Sequence, residues 1–234
     1  WWGCAKVHAG CKNCYAEHLS DVRYKNDLWG ENQPRKRIKS AFRTLEKLQA
    51  EAAAKGVMYR VFIGSMMDIF EDPKPLTNAM TNVSVDLGLT DAVTWQAPEE
   101  IRFFNHNLLM YSPNTGNLRQ LLFEAIKCRH CPNLEFQFLT KRPWNVNKFI
   151  PEEWLTDPPA NVLFGFSVSN QDTFNDTIIQ MAAIKGRKFL SVEPQLELIR
   201  PFEVGGWHHH VDWVIVGGES GPNRRPFDLN WAYA

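Results

Sequence analysis

Five times along the chain, a short apolar run stops abruptly at glycine or a polar residue. Val61-Phe62-Ile63 stops at Gly64-Ser65, Leu134 to Thr140 at Lys141-Arg142-Pro143, and Asn161 to Val168 at Ser169-Asn170. Lys188 to Val192 stops at Glu193, and Val211 to Val216 at Gly217-Gly218-Glu219. Near-continuous apolar runs of this length are what strands buried on both faces look like, because neither face needs polar residues for water. Helical stretches lie between them. Ala41 to Lys55 carries Phe42, Leu45, Leu48 and Ala52 on one side and closes at Gly56; Leu118 to Cys128 is a second helix; a third is capped by Ser169-Asn170-Gln171-Asp172 and runs to Ile184.

Strands alternating with helices in this order give an α/β fold with a parallel sheet, and the repetition points to a partial barrel. Such folds gather their functional groups at the C-terminal ends of the strands. Asp68, Lys141, Ser167, Glu193 and Glu219 are therefore expected to converge. Residues 81–117, interrupted by Pro98 and Pro113, are expected to be an insertion within one domain spanning 1–234. The chain opens Trp1-Trp2-Gly3 without methionine and stops at Ala234, so both ends are expected to be truncated, with a sixth strand ahead of Trp1.

Formal net charge is zero, so no global field draws this chain to nucleic acid or to a membrane surface. Its apolar runs are strand-sized, far short of a spanning helix, and no membrane association is expected. The five cysteines are an odd number, which fits disulfides poorly. Three of them are clustered, which fits metal chemistry in a reducing cytoplasm.

Those three are Cys4, Cys11 and Cys14, spaced Cys-x6-Cys-x2-Cys with Gly10 to let the loop turn. Thiolates are soft ligands for zinc, copper or iron–sulfur clusters. An iron–sulfur cluster usually takes four thiolates, so a set of three leaves one iron open for chemistry. Zinc competes, with His8 or His18 as the fourth ligand. The spacing alone does not separate the two. A helix over Tyr15 to Arg23 would turn its N-terminal amides toward whatever the cysteines hold.

The other features are weaker. Cys128 and Cys131 form a lone Cys-x2-Cys pair, expected to be structural. His208-His209-His210 reads as a loop, since consecutive side chains point apart. The run Pro34 to Lys39 reads as a solvated basic face. Lys141 and Arg142, at a strand end, could clamp a carboxylate or phosphate.

Several segments together resemble a phage-associated three-cysteine family related to radical S-adenosylmethionine (SAM) enzymes. They are the cysteine loop with Cys14-Tyr15-Ala16-Glu17; Ser65-Met66-Met67-Asp68 with Phe70; and Phe138 to Pro143. The likeness continues through Gly165-Phe166-Ser167-Val168, Leu190 to Pro194, and Asp212 to Pro222. The resemblance implies a partial (β/α)6 TIM-like barrel of the radical SAM type. In it Cys4, Cys11 and Cys14 hold a [4Fe–4S] cluster, and SAM binds the open iron. It makes Tyr15, Ser65, Asp68, Ser167, Glu193 and Glu219 candidate SAM or substrate contacts, with Lys141 and Arg142 as anion clamps. The implied activity is generation of a 5′-deoxyadenosyl radical for modifying a nucleotide or DNA base. The implied electron donor is a flavodoxin or ferredoxin, and the implied setting is the cytoplasm of a bacterial host. This chain lengthens the usual first gap of three residues between cysteines to six, and has Asn13 where an aromatic residue usually precedes the last one. The alternative from another class is a zinc-stabilised nucleic-acid-binding module, using Pro34 to Lys39 and Arg224-Arg225 on phosphates.

Overall fold

The computed structural model describes residues 1–77, 112–201 and 205–233. Its centre is a five-stranded parallel sheet in sequential order: β1 (Tyr59–Ile63), β2 (Leu134–Thr140), β3 (Val162–Val168), β4 (Arg187–Val192) and β5 (Trp213–Val216). The sheet curls into a half-barrel. All five expected strands are present. Most of the expected insertion lies outside the described residues; its last residues form the start of a helix, with Asn114 as N-cap accepting from the Asn117 amide at 3.0 Å.

Burial explains why the runs look as they do. Strand β3 is buried at every position and β2 at nearly every one, while β1 and β5 alternate because they are the edges. On the convex face, Phe136, Phe138, Phe164 and Phe166 are fully buried. They pack with Phe70 and with Phe123 of the helix Thr115–Lys127, Phe123 lying 5.5 Å from Phe138 and 5.1 Å from Trp154 between ring centroids. The helices Ala41–Lys55 and Gln171–Ala182 add Leu45, Ala52, Phe174 and Ile178 to the same core. Burying an aromatic side chain of this size stabilises by roughly 2–3 kcal/mol, so this layer is what holds the curl.

The concave face is filled differently. The parallel register sets Gly165 beside Phe189, and Phe189 beside Trp213. A methyl group on Gly165 would lie 2.1 Å from the Phe189 ring, so the ring can cross the barrel only because residue 165 has no side chain. Trp213 stacks on the same ring at 5.1 Å, so the two rings pack together below the strand ends.

Two local readings need correction. The stretch after Cys14 is not one α-helix: a single turn, Tyr15–Glu17, passes into a π-helix, His18–Arg23. So short a turn sums few peptide dipoles, and its amides add little field. The basic run is only half a solvated face: Lys36 and Lys39 are exposed, whereas Arg35 is fully buried and Arg37 is 5% exposed. Cys128 caps the helix Thr115–Lys127 and is exposed, whereas Cys131 is buried in the core, so this pair faces two environments. His208 to His210 sit in a 3-10 turn. No helix among the described residues is long and apolar enough to cross a membrane.

Replacing Gly165 with alanine should displace the Phe189 ring and destabilise the fold by about 1–3 kcal/mol, as overpacking does. Urea unfolding followed by Trp fluorescence measures this directly. An unchanged midpoint would show that the ring does not occupy that space.

Candidate functional site

The cysteine loop folds over the C-terminal edge of the sheet. Cys4, Cys11 and Cys14 line one cavity of about 320 Å³ with Tyr15, Ser65, Asp68, Lys141, Glu193 and Glu219. Nine of the eleven residues expected at the site thus share one wall-to-wall space. Trp29, Phe62, Met67 and Leu139 supply its apolar lining. Ser167 and Arg142 do not line it. The Ser167 hydroxyl instead donates to the Glu193 carbonyl at 3.0 Å, bracing the end of β4.

Two sets of charges fasten the loop to the barrel. The first is centred on Glu71. Its Oε1 accepts from the Ala5 amide at 2.9 Å and from Arg35 Nη2 at 2.7 Å, and its Oε2 accepts from Arg35 Nε at 2.8 Å. Arg142 donates through Nη2 to the Ala5 carbonyl at 2.9 Å and through Nη1 to Asp68 Oδ2 at 2.8 Å. Asp68 also accepts from the Thr140 hydroxyl at 2.7 Å and from the amides of Phe70 and Lys141 at 3.0 Å. All four charged residues are at most 5% exposed. Two cations against two carboxylates cancel, which is what allows them to be buried at all.

Arg35 is buried because its fork matches Glu71 in two parallel bonds while its remaining N–H groups cap the carbonyls of Leu28, Gly30 and Gln33. That partner lies 36 residues away, which is why the basic run looked like surface.

The second fastening is on the other side of the loop. Glu219 accepts from the Arg225 amide at 2.8 Å, from Arg225 Nη2 at 2.5 Å and from Asn13 Nδ2 at 2.9 Å. Hydrogen bonds from Arg225 hold the Glu219 carboxyl down to about 2. Arg225 continues to the Ala9 carbonyl at 3.1 Å. Arg35 and Arg225 are therefore both committed inside the protein rather than presented to phosphates.

The extra residues between Cys4 and Cys11 form a third contact. A Cβ on Gly10 would fall 2.1 Å from Ser169 Oγ and 2.8 Å from His8 Cε1, so the loop can seat on the end of β3 only with glycine there. His8 Nδ1 accepts from the Gly10 amide at 3.0 Å, and burial pushes the imidazole down to about 4, so it is neutral at pH 7.

With these groups committed, the unspent chemistry of the cavity is narrow. Lys141 and Glu193 have no ion-pair partner among the described residues; Glu193 takes a long bond from Ser191 at 3.4 Å. Tyr15 donates to the Ser65 carbonyl at 2.8 Å. Burial and the Asp68 charge push the Cys4 thiol up to about 12 against the opposing pull of Arg142. Any metal must displace that proton to bind.

Among the described residues, no group of three or more His, Cys, Asp or Glu side chains is gathered to hold a single metal ion. His8 and His18, the candidate fourth ligands for zinc, do not line the cavity. A cluster makes a different demand: each iron takes its own thiolate, so the sulfurs need to face a shared volume rather than meet at a point. Cys4, Cys11 and Cys14 line one cavity.

The sequence does not mark Glu71 at all, and it does not mark Arg35 or Asn13 as groups that fasten the loop. The available signals were a carboxylate three residues after Asp68 and a polar residue in place of the aromatic one before Cys14.

A family model described as "Protein of unknown function (DUF5131)" matches residues 1–97 and 78–234. No curated protein and no solved structure matches the chain.

Replacing Glu71 with glutamine leaves Arg35 without its charge partner and should cost about 3–5 kcal/mol. Equilibrium urea unfolding at pH 7 checks this, and a loss under 1 kcal/mol would contradict the hub role. A second expectation concerns pH. A histidine whose folded value lies near 4, below its ordinary 6.5, binds fewer protons when folded, so its stabilisation is complete above pH 6.5 and fades as pH falls toward 4. The metal-free protein should lose about 1–3 kcal/mol across that window from this group, and His8→Gln should lose correspondingly less. Equal slopes in the two proteins would place His8 in solvent.

Proposed function

The chain belongs to that family, whose description assigns no function; from the cysteine loop and its cavity we propose that it is a radical SAM enzyme acting on a nucleotide or a DNA base. One observation carries the reading: all three cysteines of the loop line a single cavity at the C-terminal mouth of a curled parallel sheet. When bound there, a [4Fe–4S] cluster and SAM would supply a 5′-deoxyadenosyl radical able to abstract hydrogen from a substrate, with a flavodoxin or ferredoxin as electron source.

The chain's own residues supply the rest. Cys4, Cys11 and Cys14 would hold the cluster, and the cavity beside them is large enough to admit a small molecule. Lys141 and Glu193 line the same cavity without ion-pair partners among the described residues, a cation and an anion complementary to the carboxylate and ammonium of an amino acid. Trp29, Phe62, Met67 and Leu139 offer an apolar surface beside the cysteines against which a reactive species would lie. The zinc-module alternative lacks a histidine in the cavity and, of the cations of Pro34 to Lys39 and Arg224-Arg225, finds Arg35 and Arg225 in ion pairs within the protein, with Lys36, Lys39 and Arg224 exposed.

Protein purified without oxygen should be brown, carry about four iron and four sulfide per chain, and cleave SAM to 5′-deoxyadenosine when reduced. Cys11→Ala should lose the cleavage. Colourless protein with stoichiometric zinc and intact SAM would overturn the reading.

A further inference from the structure

We infer that Arg142 is a positioning residue that sets the reduction potential of the metal centre through Cys4; the inference rests on the radical SAM reading above. Arg142 Nη1 lies 3.6 Å from Cys4 Sγ, within hydrogen-bonding range of sulfur, while the same nitrogen holds Asp68 at 2.8 Å. The other end of the guanidinium is fixed by the Ala5 carbonyl and Glu71 at 2.9 and 3.4 Å. The side chain is 5% exposed, so it neither swings toward a ligand nor is screened by water. Sequence reading made Arg142 a clamp for an anionic ligand; its donors are instead spent on two carboxylates, one carbonyl and one sulfur.

Asymmetry makes the inference specific. Among the described residues, Cys4 is the member of the cysteine trio that has a charged hydrogen-bond donor on its sulfur. One-electron reduction makes a metal–thiolate unit more negative by one charge. A fixed cation and an N–H donor on the thiolate favour that reduced form, in surroundings where charges act strongly. Asp68 and Glu71 push the other way, since both also face Cys4. Arg142 therefore offsets two nearby carboxylates at the one sulfur they reach. Hydrogen bonds to cluster sulfurs and local charge are among the levers that set cluster potentials.

The test is a redox titration of anaerobically purified protein followed by electron paramagnetic resonance, with iron content measured in parallel. Arg142→Gln should lower the midpoint by the equivalent of at least a tenfold change in the reduced-to-oxidised ratio, about 59 mV for one electron. Arg142→Lys, which keeps the charge, should recover part of that shift. Variants that carry wild-type iron and titrate at the wild-type potential would overturn the inference while leaving the enzyme reading intact. Where the Arg142 variants carry no iron, Asp68→Asn decides: a raised midpoint supports the electrostatic role, and an unmoved one overturns it. Wild-type protein without a cluster would overturn both.

Discussion

Glu71 is the point on which the mouth of this half-barrel depends. One carboxylate, 2% exposed, accepts from the backbone of the cysteine loop and from two arginines that come from different parts of the chain. Each partner is buried only because the others are present, since an isolated charge in such a place costs several kcal/mol. Through Arg142 the same set reaches Asp68, and through Asp68 it reaches Thr140 at the end of β2. The cysteine loop is consequently attached to strand ends that an aromatic core already holds in place.

This arrangement separates construction from chemistry. Asp68, Glu219 and Arg225 spend their charges on ion pairs or on backbone, so they fix geometry, and Arg142 does the same while also reaching the Cys4 sulfur. Lys141 and Glu193 lie in the same cavity without ion-pair partners among the described residues, and are the groups left to meet a ligand. The cysteines sit between the two classes, held by the first and facing the second. A loop fastened on both flanks and seated on β3 by Gly10 holds its three cysteines at one cavity over the strand ends.

The fold was legible because its strands are buried on both faces, and such runs write themselves into sequence as uninterrupted apolar stretches. Convergence at the mouth followed from parallel topology, which brings Asp68, Lys141, Glu193 and Glu219 to one edge whatever their separation in the chain. Long-range pairing was not legible. Nothing near Arg35 announces that its partner is Glu71, and a basic run looks the same whether solvated or buried. The committed state of Arg142 and Glu219 was hidden for the same reason, as residue type shows that a charge exists but not what neutralises it. The π-helix after Glu17 also left no compositional trace, because its residues suit an α-helix equally well.

The most direct measurement is the electron paramagnetic resonance spectrum of the reduced protein before and after SAM is added. A site with three cysteine ligands and an open iron should give a cluster signal that changes shape when SAM binds. A cluster signal indifferent to SAM, or no iron signal at all, would contradict an open iron at the mouth of this half-barrel.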